Sequence, residues 1–401
     1  MIRLIGGDCR EVLATLPANS VHCVVTSPPY YGLRDYGTAQ WAGGDAACDH
    51  KPQMGKPFES GTWRNGKDYS GSQKVLSRDC ACGATRVDRQ IGLEATPDAY
   101  LAEMVAVFRE VKRVLHPTGS VFCNMGDSYQ DKQLLLMPAR LALALQADGW
   151  WLRSQIVWAK PNPMPESVTD RPTSSYEMVY LLAKSARYFY DADAVREEPT
   201  GRVEPMRFGR EVPPGNAPHS AYHTDGSVGR NLRNVWTIAT APYSEAHFAT
   251  FPPALAERCI RAGTSERGCC AACGAPWGRV VERKAYGDKS GGERSLEKGF
   301  TRNGMGGQKE WDSYVPPVTA GWAPSCACDA DTVSCTVLDP FAGAGTTLLV
   351  ADRLQRDAIG IELNPDYTRM AMDRCRDDAP LFASPPPAEP PEEPRIRDLF
   401  A

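Results

Sequence analysis

The fold is decided by Val337-Leu338-Asp339-Pro340-Phe341-Ala342-Gly343-Ala344-Gly345-Thr346-Thr347, which reads as a short apolar strand, a glycine-bearing turn and the start of a helix. Glycines let the backbone approach a ligand, and the first turn of a helix offers free N–H groups to it. Glu362 ends the next predicted strand, where a carboxylate can accept hydrogen bonds from ribose hydroxyls. A tight strand-to-helix turn alone would explain the glycines, but Glu362 at this distance favours a nucleoside site.

Predicted strands and helices alternate on the N-terminal side of this stretch and beyond it. Apolar runs bounded by turn residues predict strands at 21–25, 120–125, 152–158, 177–183, 187–190, 337–338 and 358–361. Helical spacing of apolar residues predicts helices at 97–116, 138–148, 252–262, 346–355 and from about 365 to 375. This alternation indicates an α/β fold with a mostly parallel sheet. The third glycine of the dinucleotide fingerprint is missing, so a mononucleoside such as S-adenosylmethionine fits the turn better than NAD.

A second motif, Thr26-Ser27-Pro28-Pro29-Tyr30, follows the first predicted strand. The two prolines restrict the backbone, so they would hold the Ser27 hydroxyl and the Pro28 carbonyl rigidly as hydrogen-bond acceptors. Two such acceptors could draw the lone pair of an exocyclic amine back onto its nitrogen, while Tyr30 offers a flat face to a base flipped out of a duplex. The alternative is a stiff turn with an aromatic core residue.

Together these residues resemble the DNA amino-methyltransferases, which methylate N4 of cytosine or N6 of adenine. Over most of the chain the match implies a Rossmann-like, S-adenosylmethionine-dependent methyltransferase sheet. The catalytic turn precedes the glycine turn, which is the circularly permuted motif order of the family's beta group. The segment Ile156–Asn162 resembles a family segment beside the target-base pocket.

The resemblance also implies roles for individual residues. The catalytic residues would be Ser27, Pro28, Pro29 and Tyr30. The residues that bind S-adenosylmethionine would be Asp8, Cys9, Phe251, Asp339, Pro340, Phe341, Gly343, Gly345, Thr346 and Glu362.

Serine in the first position of the catalytic turn is the form associated with N4-cytosine enzymes, so cytosine is favoured over adenine. Methyltransferases that act on RNA or on protein glutamine use a related turn, but the permuted order and the arginines between 202 and 233 argue for DNA. A non-catalytic zinc-ribbon DNA-binding protein on a methyltransferase scaffold is the rival outside the enzymes. Cytosine-C5 chemistry is not expected, because no Pro-Cys dipeptide occurs.

Composition agrees with a globular enzyme that acts on nucleic acid. The 401 residues are 42% hydrophobic and 23% charged, no apolar run approaches the roughly 20 residues of a membrane span, and no secretory signal is evident. We therefore expect a cytoplasmic protein. The net charge of −4 resides in the tail 377–401, and a neutral body can still carry a basic cleft for double-stranded DNA.

The 14 cysteines are more typical of metal ligands and buried residues than of disulfides in a reducing compartment. Their spacing predicts two sets of four ligands, Cys48/His50/Cys80/Cys82 and Cys270/Cys273/Cys326/Cys328. We call these the first and the second cysteine set. Each would hold a structural zinc ion, because four protein ligands leave no position open for substrate; chance clustering is the alternative.

These features divide the chain into eight consecutive segments. The methyltransferase domain would occupy 1–45, 93–195 and 333–376, with a segment that closes over the cofactor at 241–265. Zinc-ribbon insertions are predicted at 46–92 and 266–332, a target-recognition region at 196–240 and a disordered tail at 377–401. A cognate restriction endonuclease is a possible partner; the oligomeric state stays open.

Overall fold

The computed structural model describes residues 1–33, 36–45, 47–50, 80–197, 230–241, 251–282 and 318–378. Several predicted features lie outside these ranges: most of the target-recognition region, most of both insertion loops, residues 242–250 of the cofactor-closing segment and nearly all of the tail.

The described residues form sixteen strands and six α-helices. The strands are β1 Ile2–Gly6, β2 Val21–Thr26, β3 Gln40–Ala42, β4 Thr85–Val87, β5 Leu115–Met125, β6 Tyr129–Gln130, β7 Gln133–Leu134, β8 Trp151–Ala159, β9 Tyr176–Ala183, β10 Val235–Thr237, β11 Cys269–Cys270, β12 Gly278–Glu282, β13 Val318–Ala323, β14 Thr332–Val333, β15 Thr336–Asp339 and β16 Asp357–Glu362. The helices are α1 Cys9–Thr15, α2 Pro97–Val114, α3 Met137–Ala147, α4 Pro253–Gly263, α5 Thr346–Arg353 and α6 Pro365–Asp378. Within these ranges no helix has the length and apolar character needed to cross a membrane.

Eight strands form one sheet in the order β1-β16-β15-β2-β5-β9-β8-β10. The first five run parallel, β9 is antiparallel to both of its neighbours, and β10 is parallel to β8. Strands from the two ends of the chain lie side by side at β15 and β2, as the permuted motif order requires. The predicted α/β fold with a mostly parallel sheet is confirmed.

The core lies on both faces of this sheet because neighbouring strand residues point to opposite sides. Val24 packs in the cluster under α1, α2 and α3, whereas Cys23 and Val25 pack in the cluster under α4 and α5. Helix α2 begins where its capping residue predicts, since the Thr96 hydroxyl accepts a hydrogen bond from the Ala99 amide at 3.2 Å. Parallel strands place their carboxyl ends at one edge of the sheet, which we call the carboxyl edge, and their amino ends at the opposite, amino edge.

Two predicted elements differ from the structure. Residues 187–190 form no strand, because β9 already has β5 on one side and β8 on the other; the Phe189 amide instead donates to the carbonyl of Thr118 at 2.7 Å. Strand β5 begins at Leu115 rather than Ser120, and the Pro-Thr-Gly sequence that was expected to separate helix from strand is an irregularity within it. Strand β1 had not been predicted.

Candidate active site and cysteine sets

Asp339 at the end of β15 joins the two predicted motifs. Its Oδ1 atom accepts a hydrogen bond from Thr26 Oγ1 at 2.6 Å, and its Oδ2 atom accepts one from Thr347 Oγ1 at 2.8 Å. The Phe341 amide also donates to Oδ1, at 3.1 Å. Burial raises the pKa of this carboxyl to about 6, although the hydrogen bonds act against the shift. Asp339 therefore shapes the glycine turn from within and holds it beside the catalytic turn, which begins just after Thr26.

The glycine turn has the backbone that its residues predict. Gly343 and Gly345 have φ values of +51° and +74°, which lie in the left-handed region that favours glycine. A Cβ atom on Gly345 would also lie 2.8 Å from the Cβ atom of Ala371 in α6. Gly345 is thus required both by the turn and by the packing of the helix behind it.

Glu362 lies at the tip of β16, as predicted. Its Oε2 atom accepts a hydrogen bond from the Gly343 amide and its Oε1 atom accepts one from the Asn364 amide, both at 2.8 Å. Burial raises the pKa of the Glu362 carboxyl. A carboxylate has about four lone-pair sites, so these two bonds leave capacity for ribose hydroxyls.

Asp8 and Cys9 reach the same edge because the Gly7 amide donates to the Glu362 carbonyl at 2.8 Å. Asp8 caps helix α1 and accepts hydrogen bonds from the backbone and the guanidinium of Arg10. Burial acts to raise the pKa of Asp8, but the Arg10 hydrogen bonds and charge outweigh it and the pKa is lowered. Burial raises the pKa of the Cys9 thiol to about 12, so this thiol stays protonated.

The other predicted cofactor residues flank the glycine turn. Pro340 is buried, and Thr346 Oγ1 accepts a hydrogen bond from Arg374 at 3.0 Å. Phe341 packs against the core cluster under α1 to α3, and Phe251, just before α4, packs against the cluster on the opposite face. Contact of either ring with a cofactor stays a prediction.

A hydrogen-bond network fixes the catalytic turn. The Tyr30 hydroxyl donates to Glu177 Oε2 at 2.8 Å and lies 3.1 Å from Ser27 Oγ. Asn124 Nδ2 donates to the same Glu177 oxygen at 2.7 Å and to the Tyr30 hydroxyl at 3.0 Å. Burial, with the Glu177 charge, raises the pKa of Tyr30 well above its usual value. We call these four residues, with Lys160, the carboxylate network, since Lys160 Nζ donates to Glu177 Oε1.

The backbone and ring of the turn are held as tightly as its hydroxyl groups. The Tyr100 hydroxyl donates to the carbonyl of Pro29 at 2.9 Å. A Cβ atom on Gly126 would lie 2.7 Å from Cε2 of Tyr30, so the residue after β5 must be glycine for this ring to fit. Pro28 is buried in the turn.

Sequence reasoning missed Asn124 and Glu177. Each is a polar residue within an apolar strand, close to the end of that strand that lies at the carboxyl edge, and this was the available signal. Lys160 belongs to the segment 156–162 that had been placed beside the base pocket, and its ammonium lies 4.5 Å from the ring centroid of Trp158.

Each predicted cysteine set comes together in space. Within each set one ligand atom per residue lies within 4.8 Å of all the others. Cys48 and Cys80 have their sulfur atoms 3.8 Å apart, and Cys82 Sγ lies 3.3 Å from His50 Nδ1. Tetrahedral Zn–S bonds of about 2.3 Å place sulfur atoms roughly 3.8 Å apart, so the donors and their spacing fit zinc.

In the second set the pKa of the Cys270 thiol is lowered, whereas hydrogen bonds among the thiols raise the pKa of Cys328 to about 12. Backbone N–H groups of Cys273 and Ala272 lower the pKa of the Cys270 thiol to about 7. The thiolate is the form that binds metal, so the loop favours the ligating state of Cys270.

A third group, which sequence reasoning missed, consists of the buried side chains of His22, Cys269 and Cys335. Both ring nitrogens of His22 have protein partners: Nδ1 accepts from the Thr336 amide at 2.9 Å, so Nε2 carries the hydrogen and donates to the Gly274 carbonyl at 3.0 Å. This imidazole therefore serves packing, and no nitrogen is left for a metal ion.

Comparison with known proteins gives consistent matches. The N6/N4 methyltransferase family model, described as "DNA methylase", matches residues 21–271 and 333–373. The chain is 32% identical to the Type II methyltransferase M.XycI of Xanthomonas campestris pv. cyanopsidis and 31% identical to M.Cfr9I of Citrobacter freundii, over 93% of this chain and 87% of each relative. It is similar to a "putative DNA modification methylase" from Thermus thermophilus, solved with S-adenosyl-L-methionine, at 22% identity and a TM-score of 0.45, over 95% and 98% of the two chains.

Proposed function

The chain belongs to the DNA methylase family, and from this premise we propose that it transfers a methyl group from S-adenosylmethionine to the exocyclic amine of a base flipped out of double-stranded DNA. The observation that carries the proposal is the Asp339 carboxylate. It accepts hydrogen bonds from Thr26 and from Thr347, and so fastens the catalytic turn to the glycine turn at one edge of the sheet. A methyl acceptor at the first turn would then lie next to a methyl donor at the second.

The residues of the glycine turn fit S-adenosylmethionine. Gly343 and Gly345 let the backbone approach the ligand, and Glu362 keeps acceptor capacity for the ribose. When bound, the sulfonium supplies an already activated methyl group, so the protein has to provide alignment and a dry site.

Ser27 and Tyr30 would act on the acceptor side. Ser27 Oγ can accept a hydrogen bond from the target amine, which concentrates the lone pair on nitrogen. The Tyr30 hydroxyl is tied to Glu177 and its edge fits against Gly126, so its ring is a fixed surface for a flipped base. Fixed positions matter because misplacement of about 1 Å can cost on the order of 10²-fold in rate.

We propose N4 of cytosine as the target, on the resemblance of Ser27 to the first residue of the turn in N4-cytosine enzymes; N6 of adenine is the alternative. The decisive assay uses tritiated S-adenosylmethionine, duplex DNA and identification of the modified base after hydrolysis. N4-methylcytosine is the expected product. N6-methyladenine would overturn the choice of base, and no methylated DNA would overturn the function.

Gly343→Asp is the variant that tests the cofactor site. A carboxylate and added bulk at a position with positive φ should abolish binding of S-adenosylmethionine, measured by calorimetry. Undiminished binding would remove the cofactor from this turn.

We further propose that each cysteine set holds one structural zinc ion, supported by the clustered donors of both sets. Elemental analysis of tag-free protein tests the expected content of two ions per chain.

Because its relatives are Type II methyltransferases, we also propose that the chain protects specific sites against a cognate restriction endonuclease. Single-molecule sequencing of DNA from cells that express the protein would report the base and the site together.

A further inference from the structure

The hydrogen bonds between Ser27, Tyr30 and Glu177 all point in one direction. Tyr30 has a single hydroxyl hydrogen, which it donates to Glu177 Oε2 at 2.8 Å. In the 3.1 Å contact between Ser27 Oγ and the Tyr30 hydroxyl, Ser27 is therefore the donor. Asn124 Nδ2 lies 3.5 Å from Ser27 Oγ, a long hydrogen bond, so at least one of the two lone pairs of Ser27 Oγ is available to an incoming amine. The chain of donors thus runs from the site of methyl transfer to the Glu177 carboxylate.

The surroundings of Glu177 suit it to accept a proton at the end of this chain of hydrogen bonds. Only 18% of its side chain is exposed, and Lys160, which is 17% exposed, donates to its Oε1 atom. Asn124 donates to Oε2 and thereby orients the oxygen that faces Tyr30. A half-buried carboxylate that is held by an ammonium on one oxygen and by two neutral donors on the other has a fixed position and a compensated charge.

We propose that Glu177 takes up the proton that the target amine loses during methylation, through Tyr30 and Ser27; this rests on the proposed methyl transfer. The amine lone pair forms the N–C bond as the C–S bond breaks and its electrons go to sulfur, which leaves the amine cationic. The amine N–H bond then breaks toward Ser27 Oγ, while the Ser27 proton moves to Tyr30 and the Tyr30 proton moves to Glu177 Oε2. The products are a neutral methylamine and a neutral Glu177 carboxylic acid, which returns its proton to solvent.

Glu177 acts through Tyr30 and Ser27, and its role can be separated from simple support of the fold. A structural role depends on size and shape, so Glu177→Gln should be tolerated better than Glu177→Asp. A proton-accepting role depends on the acidic oxygen, so Glu177→Asp should be the faster enzyme of the two.

The experiment measures single-turnover methyl transfer to duplex DNA at saturating S-adenosylmethionine for these two variants, for Tyr30→Phe and for the double variant Tyr30→Phe/Glu177→Gln. Glu110→Gln is the matched control, because Glu110 is a half-buried glutamate paired with Arg113 on α2, away from the site. We expect Glu177→Gln and Tyr30→Phe each to lose on the order of 10²-fold in rate, with unchanged affinity for S-adenosylmethionine. The double variant should be no slower than the slower single variant, since both changes interrupt one path.

The relay is wrong if wild-type protein methylates DNA and Glu177→Gln does so as fast as Glu110→Gln, or faster than Glu177→Asp. Additive losses in the double variant would also contradict it. Wild-type protein that fails to methylate DNA would instead overturn the proposed function. Thermal unfolding of each variant identifies any that is misfolded. If a Glu177 variant is misfolded, the test rests on Tyr30→Phe, which removes only the hydroxyl group.

Discussion

The two cysteine sets have similar donors but lie at opposite edges of the sheet. After the first set the chain returns to the carboxyl edge of the sheet. There the Gly32 amide donates a hydrogen bond to the Gly92 carbonyl at 2.8 Å. Gly92 also lies close to the catalytic turn, since a Cβ atom on it would be 3.0 Å from the Tyr30 carbonyl oxygen. The carbonyl of Tyr36, on the way into the insertion, accepts a hydrogen bond from Asn364 at 3.1 Å. The chain segments that flank the first set thus contact the catalytic turn and the residues that follow β16.

The second set docks on the amino edge. The imidazole rings of His22 in β2 and His116 in β5 are stacked, with their centroids 5.6 Å apart. His22 makes a hydrogen bond to the carbonyl of Gly274, and His116 makes one to the carbonyl of Cys273. Arg279, in the strand that follows, binds the buried Asp191 carboxylate at 3.0 Å. The two histidine contacts fasten the second insertion to the starts of β2 and β5, at the ends of these strands opposite the predicted catalytic turn.

Because the two sets are attached to opposite edges, we expect loss of each set to affect a different property of the protein. The chain segments on either side of the first set contact the catalytic turn and Asn364, so loss of the set should disturb methyl transfer more than the stability of the core. The second set is bonded to buried core residues, so its loss should disturb stability more than the chemistry.

The largest effect is expected from Cys273→Ser in the second set. Loss of one ligand should release one metal ion and with it the folding energy that the ion supplies to this insertion. The melting temperature should fall by several degrees, while the remaining folded protein methylates DNA at the wild-type rate. Elemental analysis, calorimetric melting and the rate assay check the three parts. A normal melting temperature after metal loss would mean that the second set does not support the core.

Ser27→Ala should have the next largest effect, confined to the carboxyl edge. Loss of one preorganised acceptor at the reacting amine costs on the order of 10²-fold in rate. The melting temperature and the affinity for S-adenosylmethionine should stay unchanged, because Asp339 and Thr26 hold the turn without the Ser27 hydroxyl. A wild-type rate in single-turnover assays would remove Ser27 from the mechanism.

Cys82→Ser in the first set should lower the rate of methyl transfer less, on the order of 10-fold. Loss of this ligand should shift the catalytic turn by less than about 1 Å, and a misplacement of about 1 Å costs about 10²-fold in rate. One metal ion should be lost, and melting of the core should change less than in Cys273→Ser. The same rate assay and elemental analysis apply. If the two cysteine variants behave alike in melting and in rate, the contrast between the two edges is wrong.

The sequence predicted the mostly parallel sheet, five of the six described α-helices and both motifs, because local signals decide them: β-branched runs, caps, glycines and prolines; helix α1 was missed. It predicted the grouping of both cysteine sets from spacing alone. It did not predict that Asp339 turns inward to Thr26, nor that Glu177 faces Tyr30, because these two contacts join residues 313 and 147 positions apart. Residues 187–190 were misassigned since strand propensity does not show whether a sheet edge is free.

The smallest effect is expected from His116→Phe at the amino edge. In wild-type protein the Thr118 amide donates to His116 Nδ1 at 3.2 Å, so Nε2 carries the hydrogen and donates to the carbonyl of Cys273 at 3.1 Å. Phenylalanine keeps a ring to stack on His22 but removes the hydrogen bonds of His116 to the Thr118 amide, to the Thr118 hydroxyl at 2.8 Å and to the Cys273 carbonyl, each worth about 1 kcal/mol. The melting temperature should fall less than in Cys273→Ser, with the metal content and the methylation rate unchanged. Calorimetric melting with elemental analysis measures this, and loss of a metal ion from His116→Phe would show that docking and metal binding are one event at this edge rather than two.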